Sequence, residues 1–289
     1  MLIDDLIEYC DEQYQNGICE ACTAMDSCTR DCDGNCKNCL DDIHFHYNQR
    51  RTQYNCSRLL NYYVCRYSYK YCSEIIYALN QLDLSTYPYF HILSLGCGGA
   101  PDLMAFQYMN YPQYISYIGL DRNVYWEDIH NFIINDFDDG RVQFMRNIDV
   151  LHHFEDHAIE GCNVILIQYL ISFFYSNVEY VGLRNWFARL AQSIVRNKPA
   201  DSPLLIIIND VDSIHTGRDA FPLLVDEIER VGLTVNCELR RRFKNQGYFA
   251  NSVQYATKRN IFEGIPNDFI EDYCVALSCE SAQLILEVI

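Results

Sequence analysis

Apolar positions along the chain recur with two periods, and the two trade places near residue 90. Before it the spacing is helical. Leu2, Ile3, Leu6, Ile7 and Cys10 share one side of a short helix over residues 1–14. Cys56 to Leu79 carries the longest stripe, through Cys56, Leu59, Leu60, Tyr63, Val64, Tyr67, Cys72, Ile75, Ile76 and Leu79. Its tyrosines (Tyr62, Tyr63, Tyr67, Tyr69, Tyr71, Tyr77) read first as packing and second as the floor of a substrate pocket. From Phe90 onward, apolar runs of strand length alternate with helical patterns. Such alternation predicts a mostly parallel sheet with helices on both faces. The expected strands are Ile92–Leu95, Tyr117–Leu120, Val142–Met145, Cys162–Leu170 and Leu204–Ile208. A β-rich tail follows over Val235–Phe243, Tyr248–Tyr255 and Leu284–Ile289. Helices are expected after Pro101 and over Val124–Phe137, Asn185–Val195 and Phe221–Val231. No internal repeat or low-complexity tract interrupts this order.

The stretch His91 to Asp121 organises the rest. An apolar strand runs into Gly96-Cys97-Gly98-Gly99-Ala100, Pro101 opens a helix, and Leu103, Phe106 and Met109 recur at helical spacing. A second strand then ends in Asp121. Strand, glycine turn, helix, strand and acid is the order of a nucleotide-binding βαβ unit. Glycines let backbone N–H groups approach a ligand, and the acid can accept hydrogen bonds from two ribose hydroxyls.

Charge narrows the partners. The formal net charge of the 289 residues is −17, and the cysteine-rich first quarter and the remainder are both acidic, so no basic arm is hidden in the total. Such a field disfavours a long nucleic-acid footprint and leaves a small molecule or a protein side chain as the favoured substrate. Arg50-Arg51 and Arg240-Arg241-Arg242 are the local basic spots. The longest apolar run, Val164 to Tyr175, contains Gln168 and Ser172 and is too short to span a bilayer. The acids of MLIDDLIEYC do not suit a signal peptide, so the expected setting is cytoplasmic.

Ten of the 15 cysteines fall in the first 72 residues. In a reducing compartment such a cluster more often binds metal than forms disulfides. Two C-x-x-C pairs, Cys19/Cys22 and Cys36/Cys39, bracket Cys28 and Cys32, and a tetrahedral zinc accepts thiolates so spaced. Cys28 and Cys32, with Cys10, His44 or His46, could complete a second site or share the first. An iron–sulfur cluster on Cys32, Cys36 and Cys39, and uncomplexed thiols or disulfides, are the alternatives. The expected organisation is a cysteine-rich metal-binding module over 1–55, a helical connector or cap over 56–89, and an α/β domain over 90–289.

Ile92-Leu93-Ser94-Leu95-Gly96-Cys97-Gly98-Gly99 and the element order from 90 to 289 resemble the class I S-adenosylmethionine-dependent methyltransferases. The resemblance implies a Rossmann-like sheet ending in an antiparallel hairpin. It also implies that Gly96 and Gly98, with Cys97 between them, flank the methionine end of the cofactor. Asp121 would then hold the ribose hydroxyls, and Ile148 and Asp149 would sit at the adenine. Gln168 and Tyr169 would face the transferred methyl group. Ser94 stands where the family carries an acid and Ala100 where it carries a third glycine. Asp102, in the first turn of the following helix, is the candidate replacement for that acid, since a negative charge is favourable near a helix N-terminus.

The first reading is thus a methyltransferase with a structural zinc cap and no demanded catalytic residue. Alternatives are a catalytically inactive binding or regulatory protein of the same fold, which Ser94 suggests, and an RNA-modifying methyltransferase. Lesser candidates are His153 and His157, read as surface histidines rather than metal ligands, and Asp210 and Asp212 after the fifth strand. Trp126 could stack on adenine or pack in a helix core.

Overall fold

The structure, a computed structural model, describes residues 3–17, 35–45, 54–137, 140–159, 161–212, 217–243, 249–250, 253–256 and 259–289. Three helices precede the sheet: α1 (Ile3–Asn16), α2 (Cys36–Phe45) and α3 (Ser57–Leu79). The βαβ unit follows as β1 (Tyr89–Leu95), α4 (Pro101–Met109) and β2 (Tyr114–Asp121). Then come α5 (Glu127–Asn135), β3 (Val142–Arg146), α6 (Val150–Asp156), β4 (Val164–Gln168), α7 (Ile171–Asn197), β5 (Leu204–Val211) and α8 (Phe221–Arg230). The chain continues through β6 (Val235–Phe243), β7 (Phe249–Ala250), β8 (Val253–Ala256), α9 (Asn267–Tyr273) and β9 (Ser281–Val288).

Among the described residues the strands form one nine-stranded sheet in the order β3-β2-β1-β4-β5-β9-β6-β8-β7. Strands β1 to β5 are parallel, and β9 enters antiparallel between β5 and β6. Chain order reverses between β1 and β4, which leaves a crevice outside their carboxyl ends where a ligand can lodge in such sheets. The fold is the Rossmann-like α/β arrangement that the alternation of periods predicts.

Burial on both faces explains the unbroken apolar runs of β4 and β5. Their side chains alternate between two cores. Val164, Leu166, Leu205 and Ile207 pack toward α1, α3 and α4, whereas Ile165, Ile167, Leu204, Ile206 and Ile208 pack toward α7 and α8. The first core runs without a break from Ile3 to Ile285, so α1 and α3 share it with the sheet.

Three of the elements that differ from expectation do so for a local reason. The run read as a strand to Leu170 stops at Gln168, because Tyr169 turns through a left-handed conformation (φ +55°). The apolar residues beyond it open α7, which is longer than the predicted Asn185–Val195. Its first N–H groups, Ile171 and Ser172, donate to the buried carboxylate of Asp210 at 2.8 and 3.2 Å, satisfying a helix end that the sequence left without a cap. The HHFEDH stretch belongs to a short helix, α6, which ends at Asp156 just before His157 and is capped by Asp149, which accepts from the Leu151 N–H at 3.1 Å. His153 is buried there rather than at the surface and stacks on His157 at 4.7 Å.

Helix α3 lies across the carboxyl edge of the sheet and is held by polar bonds as well as by its apolar stripe. Glu74, fully buried, accepts from the Tyr169 hydroxyl (2.9 Å to Oε2) and the Ser281 hydroxyl (2.9 Å), with the Lys70 Nζ at 3.9 Å. Gln168 donates to the Tyr71 carbonyl (3.1 Å), Gln283 to the Glu74 carbonyl (2.9 Å) and Arg241 to the Tyr77 carbonyl (2.9 Å). Burial raises the Glu74 carboxyl pKa, and the ammonium and hydroxyls oppose that rise. Among the described residues no helix is long and apolar enough to cross a membrane.

Replacing Glu74 by Ala strands two buried hydroxyl donors beneath the helix. It is expected to lower unfolding stability by about 2–4 kcal/mol, as measured by urea denaturation. A loss below half a kcal/mol would show that the helix is held by apolar packing alone.

Candidate functional site

The bend after β1 is built on left-handed backbone. Gly96 and Gly98 have φ of +69° and +51°, and Ala100 takes +53° immediately before α4. Both Gly96 and Cys97 donate their N–H groups to the Leu120 carbonyl, at 2.8 and 3.0 Å, which ties the bend to the end of β2. One residue further, the Gly98 N–H donates to Asp121 Oδ2 at 3.0 Å, while Oδ1 accepts from the Asn123 N–H at 2.8 Å. The glycine turn and the terminal acid of the βαβ unit are therefore in direct contact.

His130 on α5 holds the other side of the bend. Its Nε2 lies 2.7 Å from the Gly98 carbonyl, so that nitrogen carries the proton and donates. Burial pushes the imidazole pKa down to about 4 and keeps the ring neutral. The ring stacks on Phe144 at 3.9 Å, and Trp126 lies over Gly98, where an added Cβ would be 3.5 Å from the indole. His130 carries no motif in the sequence; its position four residues after Trp126, on the same helical face, is the only trace it leaves there.

Above the bend lies a narrow cleft of about 40 Å³, partly open to solvent. Ser94, Gly96, Cys97, Gly98, Asp102 and Gln168 all line it, joined by Tyr63, Val64 and Tyr71 of α3. Asp121 borders it through Gly98. Two other candidates are placed elsewhere. Ile148 donates its N–H to the Asp121 carbonyl at 3.1 Å, and Asp149 caps α6 and faces Arg122 at 3.9 Å; neither lines the cleft. The tyrosines of α3, read from their spacing as core, supply its roof. Tyr63 donates to the Tyr71 hydroxyl at 3.3 Å and packs edge-on to Trp126 at 6.1 Å.

The roof also desolvates the acids below it. Among the described residues no cation offsets the burial of Asp121, and its pKa is raised to about 6 in spite of the N–H groups that it accepts. Asp102, at 1% exposure, is likewise raised by burial, although the Tyr117 hydroxyl (2.9 Å), the Leu103 N–H (2.9 Å) and Ser94 bond to it. Its second oxygen, Oδ2, is buried without a hydrogen-bond partner among the described residues.

Elsewhere the candidates are structural or out of view. Asp210 caps α7, and Asp212 pairs with Arg242 (2.8 Å) and Arg218 (2.5 Å). The Arg240–Arg242 run forms no basic face: Arg241 is buried, Arg240 pairs with Glu238 and Arg242 with Asp212. Arg50 and Arg51 lie outside the described residues, as do Cys19, Cys22, Cys28 and Cys32. Cys36 and Cys39 are placed one turn apart at the start of α2, Cys36 buried and Cys39 half-buried. Among the described residues no group of three or more His, Cys, Asp or Glu side chains could hold a metal ion.

No protein-family model and no curated protein matches the chain. Solved structures similar to it include the mitomycin 7-O-methyltransferase MmcR, at 14% identity over 98% of this chain and 66% of that one, with a TM-score of 0.44. A SAM-dependent methyltransferase from Archaeoglobus fulgidus is similar over 75% of this chain and 94% of its own, at 13% identity and a TM-score of 0.42. The (4+2)-cyclase SpnF is similar over 76% and 79%, at 12% identity and a TM-score of 0.42.

Because burial raises the Asp121 carboxyl toward 6 from about 4 in an unfolded chain, the protonated acid favours the folded state. That contribution is fully present below pH 4 and is lost as pH rises through 6. Urea midpoints followed from pH 4 to pH 7.5 are expected to show a loss of about 1–3 kcal/mol in the native chain that is absent from Asp121→Ala. Identical pH profiles would contradict this origin of the shift.

Proposed function

We propose that the chain binds S-adenosylmethionine in the cleft over the β1–α4 bend and transfers its methyl group to an acceptor admitted beneath α3. The contact that supports this most is the Gly98 N–H on the Asp121 carboxylate at 3.0 Å. It joins an exposed-backbone turn and an acid at the end of β2 into one receptor. The donor set fits an adenosyl ligand in three respects. Asp121 offers carboxylate oxygens for hydroxyls at the rim of β2. The bend offers backbone without side chains. Asp102 offers a buried oxygen, Oδ2, that has no hydrogen-bond partner among the described residues.

Bound there, S-adenosylmethionine would supply a methyl group already activated by its sulfonium leaving group, so no protein nucleophile is required. The work left to the chain is alignment and exclusion of water. His130 and Leu120 fix the bend from two sides, Tyr63 and Tyr71 roof the cleft, and Gln168 lines it from the end of β4. Ile148 and Asp149 remain the proposed neighbours of the adenine. A small molecule or a protein side chain is the favoured acceptor, because the net charge of −17 opposes a polyanion. The zinc cap is retained as part of the proposal: Cys36 and Cys39 share the first turn of α2 and Cys19, Cys22, Cys28 and Cys32 would complete the ligands. The cytoplasmic setting is kept as part of the proposal, on the acids of MLIDDLIEYC.

A second reading, a binding or regulatory protein that takes no cofactor, draws on the tightness of the roof. Val64 Cγ2 lies 2.9 Å from where a Cβ on Gly99 would stand, and the Tyr54 carbonyl accepts from the Asn123 side chain at 2.9 Å, closing the chain over Asp121.

Isothermal titration with S-adenosylhomocysteine separates the two. The first reading expects a micromolar Kd, weakened by about 30- to 1000-fold in Asp121→Ala through loss of two charge-assisted hydrogen bonds; no heat at millimolar ligand would favour the second. Native mass spectrometry of the purified chain tests the cap, with bound zinc expected. A mass showing an iron–sulfur cluster, or no metal, would remove the zinc and leave the cleft untouched.

A further inference from the structure

Helix α3 carries a cation whose hydrogen bonds are unspent. Lys70 precedes Tyr71 on this helix, and its side chain is only 13% exposed. Its ammonium lies over two phenol rings, 5.5 Å from the centre of Tyr71 and 5.0 Å from that of Tyr169. Ring faces attract the charge but give its N–H groups no lone pair to bond. Glu74 Oε1 stands at 3.9 Å, too far for a hydrogen bond, and among the described residues no other acceptor reaches the ammonium. Arg218 and Arg242, similarly shielded at 22% and 20% exposure, each meet Asp212 within 2.8 Å. A shielded ammonium with idle donors has lost solvent without a full replacement, and a ligand oxygen that accepts those donors would restore it.

Glu74 does not depend on the lysine for its bonds. Its oxygens accept from the Tyr169 and Ser281 hydroxyls at 2.9–3.0 Å, so an incoming anion would break none of them. Asp210, the other buried acid at this edge of the sheet, is engaged by the Ile171, Ser172 and Val211 N–H groups. Coulomb attraction falls with distance. An anion touching Nζ on the side away from Glu74 is therefore held by the ammonium more strongly than the carboxylate behind it repels. A doubly charged phosphate would face both acids with one cation to hold it, which favours a carboxylate. Position ties this cation to the cleft. Tyr71, on whose ring the ammonium rests, lines the cleft, and Tyr169 directly follows Gln168, which lines it too.

We propose that Lys70 receives the carboxylate of the methyl acceptor, which makes the acceptor a small organic acid rather than a neutral molecule or an amine. The proposal rests on the adenosyl reading above and supplies the acceptor class that it leaves open. Tyr71 and Tyr169 hold the ammonium in place from its two flanks, and Glu74 keeps it at the strand ends.

The test is calorimetric titration of benzoate, and of its neutral counterpart benzamide, into the full chain saturated with S-adenosylhomocysteine. The native chain is expected to bind benzoate about 10-fold or more tightly than benzamide, the worth of one charge-assisted hydrogen bond. In Lys70→Met the two affinities should agree within about threefold, whereas Lys70→Arg should keep the preference. A Kd for S-adenosylhomocysteine within about threefold of native in both variants shows that fold and cleft are intact. Equal native affinities for the two probes, no benzoate binding up to about 50 mM, or a preference that survives in Lys70→Met would overturn the carboxylate assignment alone. Failure of S-adenosylhomocysteine to bind the native chain at millimolar concentration would overturn the adenosyl reading, and this proposal with it.

Discussion

A single buried carboxylate joins the two halves of this molecule. Glu74 leaves the middle of α3 and reaches the carboxyl edge of the sheet, where the hydroxyls of Tyr169, just past β4, and Ser281, at the start of β9, meet it. Removing such a charge from water is costly unless hydrogen bonds replace the lost solvent. Here the replacements come from two separate strand ends, so the helix is satisfied in one place and one orientation. Apolar contacts alone would tolerate sliding; a buried, directional carboxylate does not. The roof of the cleft therefore has a fixed height above the glycine bend, and the character of the cleft follows from that height. Tyr63, Val64 and Tyr71 line that cleft together with Asp102, and burial raises the pKa of both Asp121 and Asp102.

The βαβ unit was legible because its signals are local. Apolar runs, a glycine bend, Pro101 at the first helical position and an acid at the end of the second strand each act within a few residues. Gly96 and Gly98 take the positive φ that their lack of Cβ permits. Ser94, Gly96, Cys97, Gly98, Asp102 and Gln168 converge on one cleft since five of them belong to β1 and the first turn after it, and the sixth ends the strand paired beside β1.

What escaped the sequence was non-local. The stripe of α3 shows that one side is apolar and says nothing of what that side covers, so tyrosines that roof a cleft look the same as tyrosines that fill a core. His130 acts through one carbonyl brought to it by the fold, and Glu74 through hydroxyls about 95 and 207 residues away in sequence. The end of β4 was misplaced because Leu170 to Phe174 is as apolar as the strand before it. Only the left-handed turn at Tyr169 and the Asp210 cap mark where strand gives way to helix.

The position of β9 carries a consequence for how this chain is made. All eight of its residues pair with β5 and seven of them with β6, so the last of the described strands in chain order fills the gap between two that precede it. Until then β5 exposes a flank of LLIIIND backbone, and β6 has no neighbour joining it to the parallel strands. Long-range pairing of this kind folds slowly and leaves hydrophobic edges open to other chains. Pairing of Ser281 to Val288 is the event that closes this edge and joins β6 to the parallel strands.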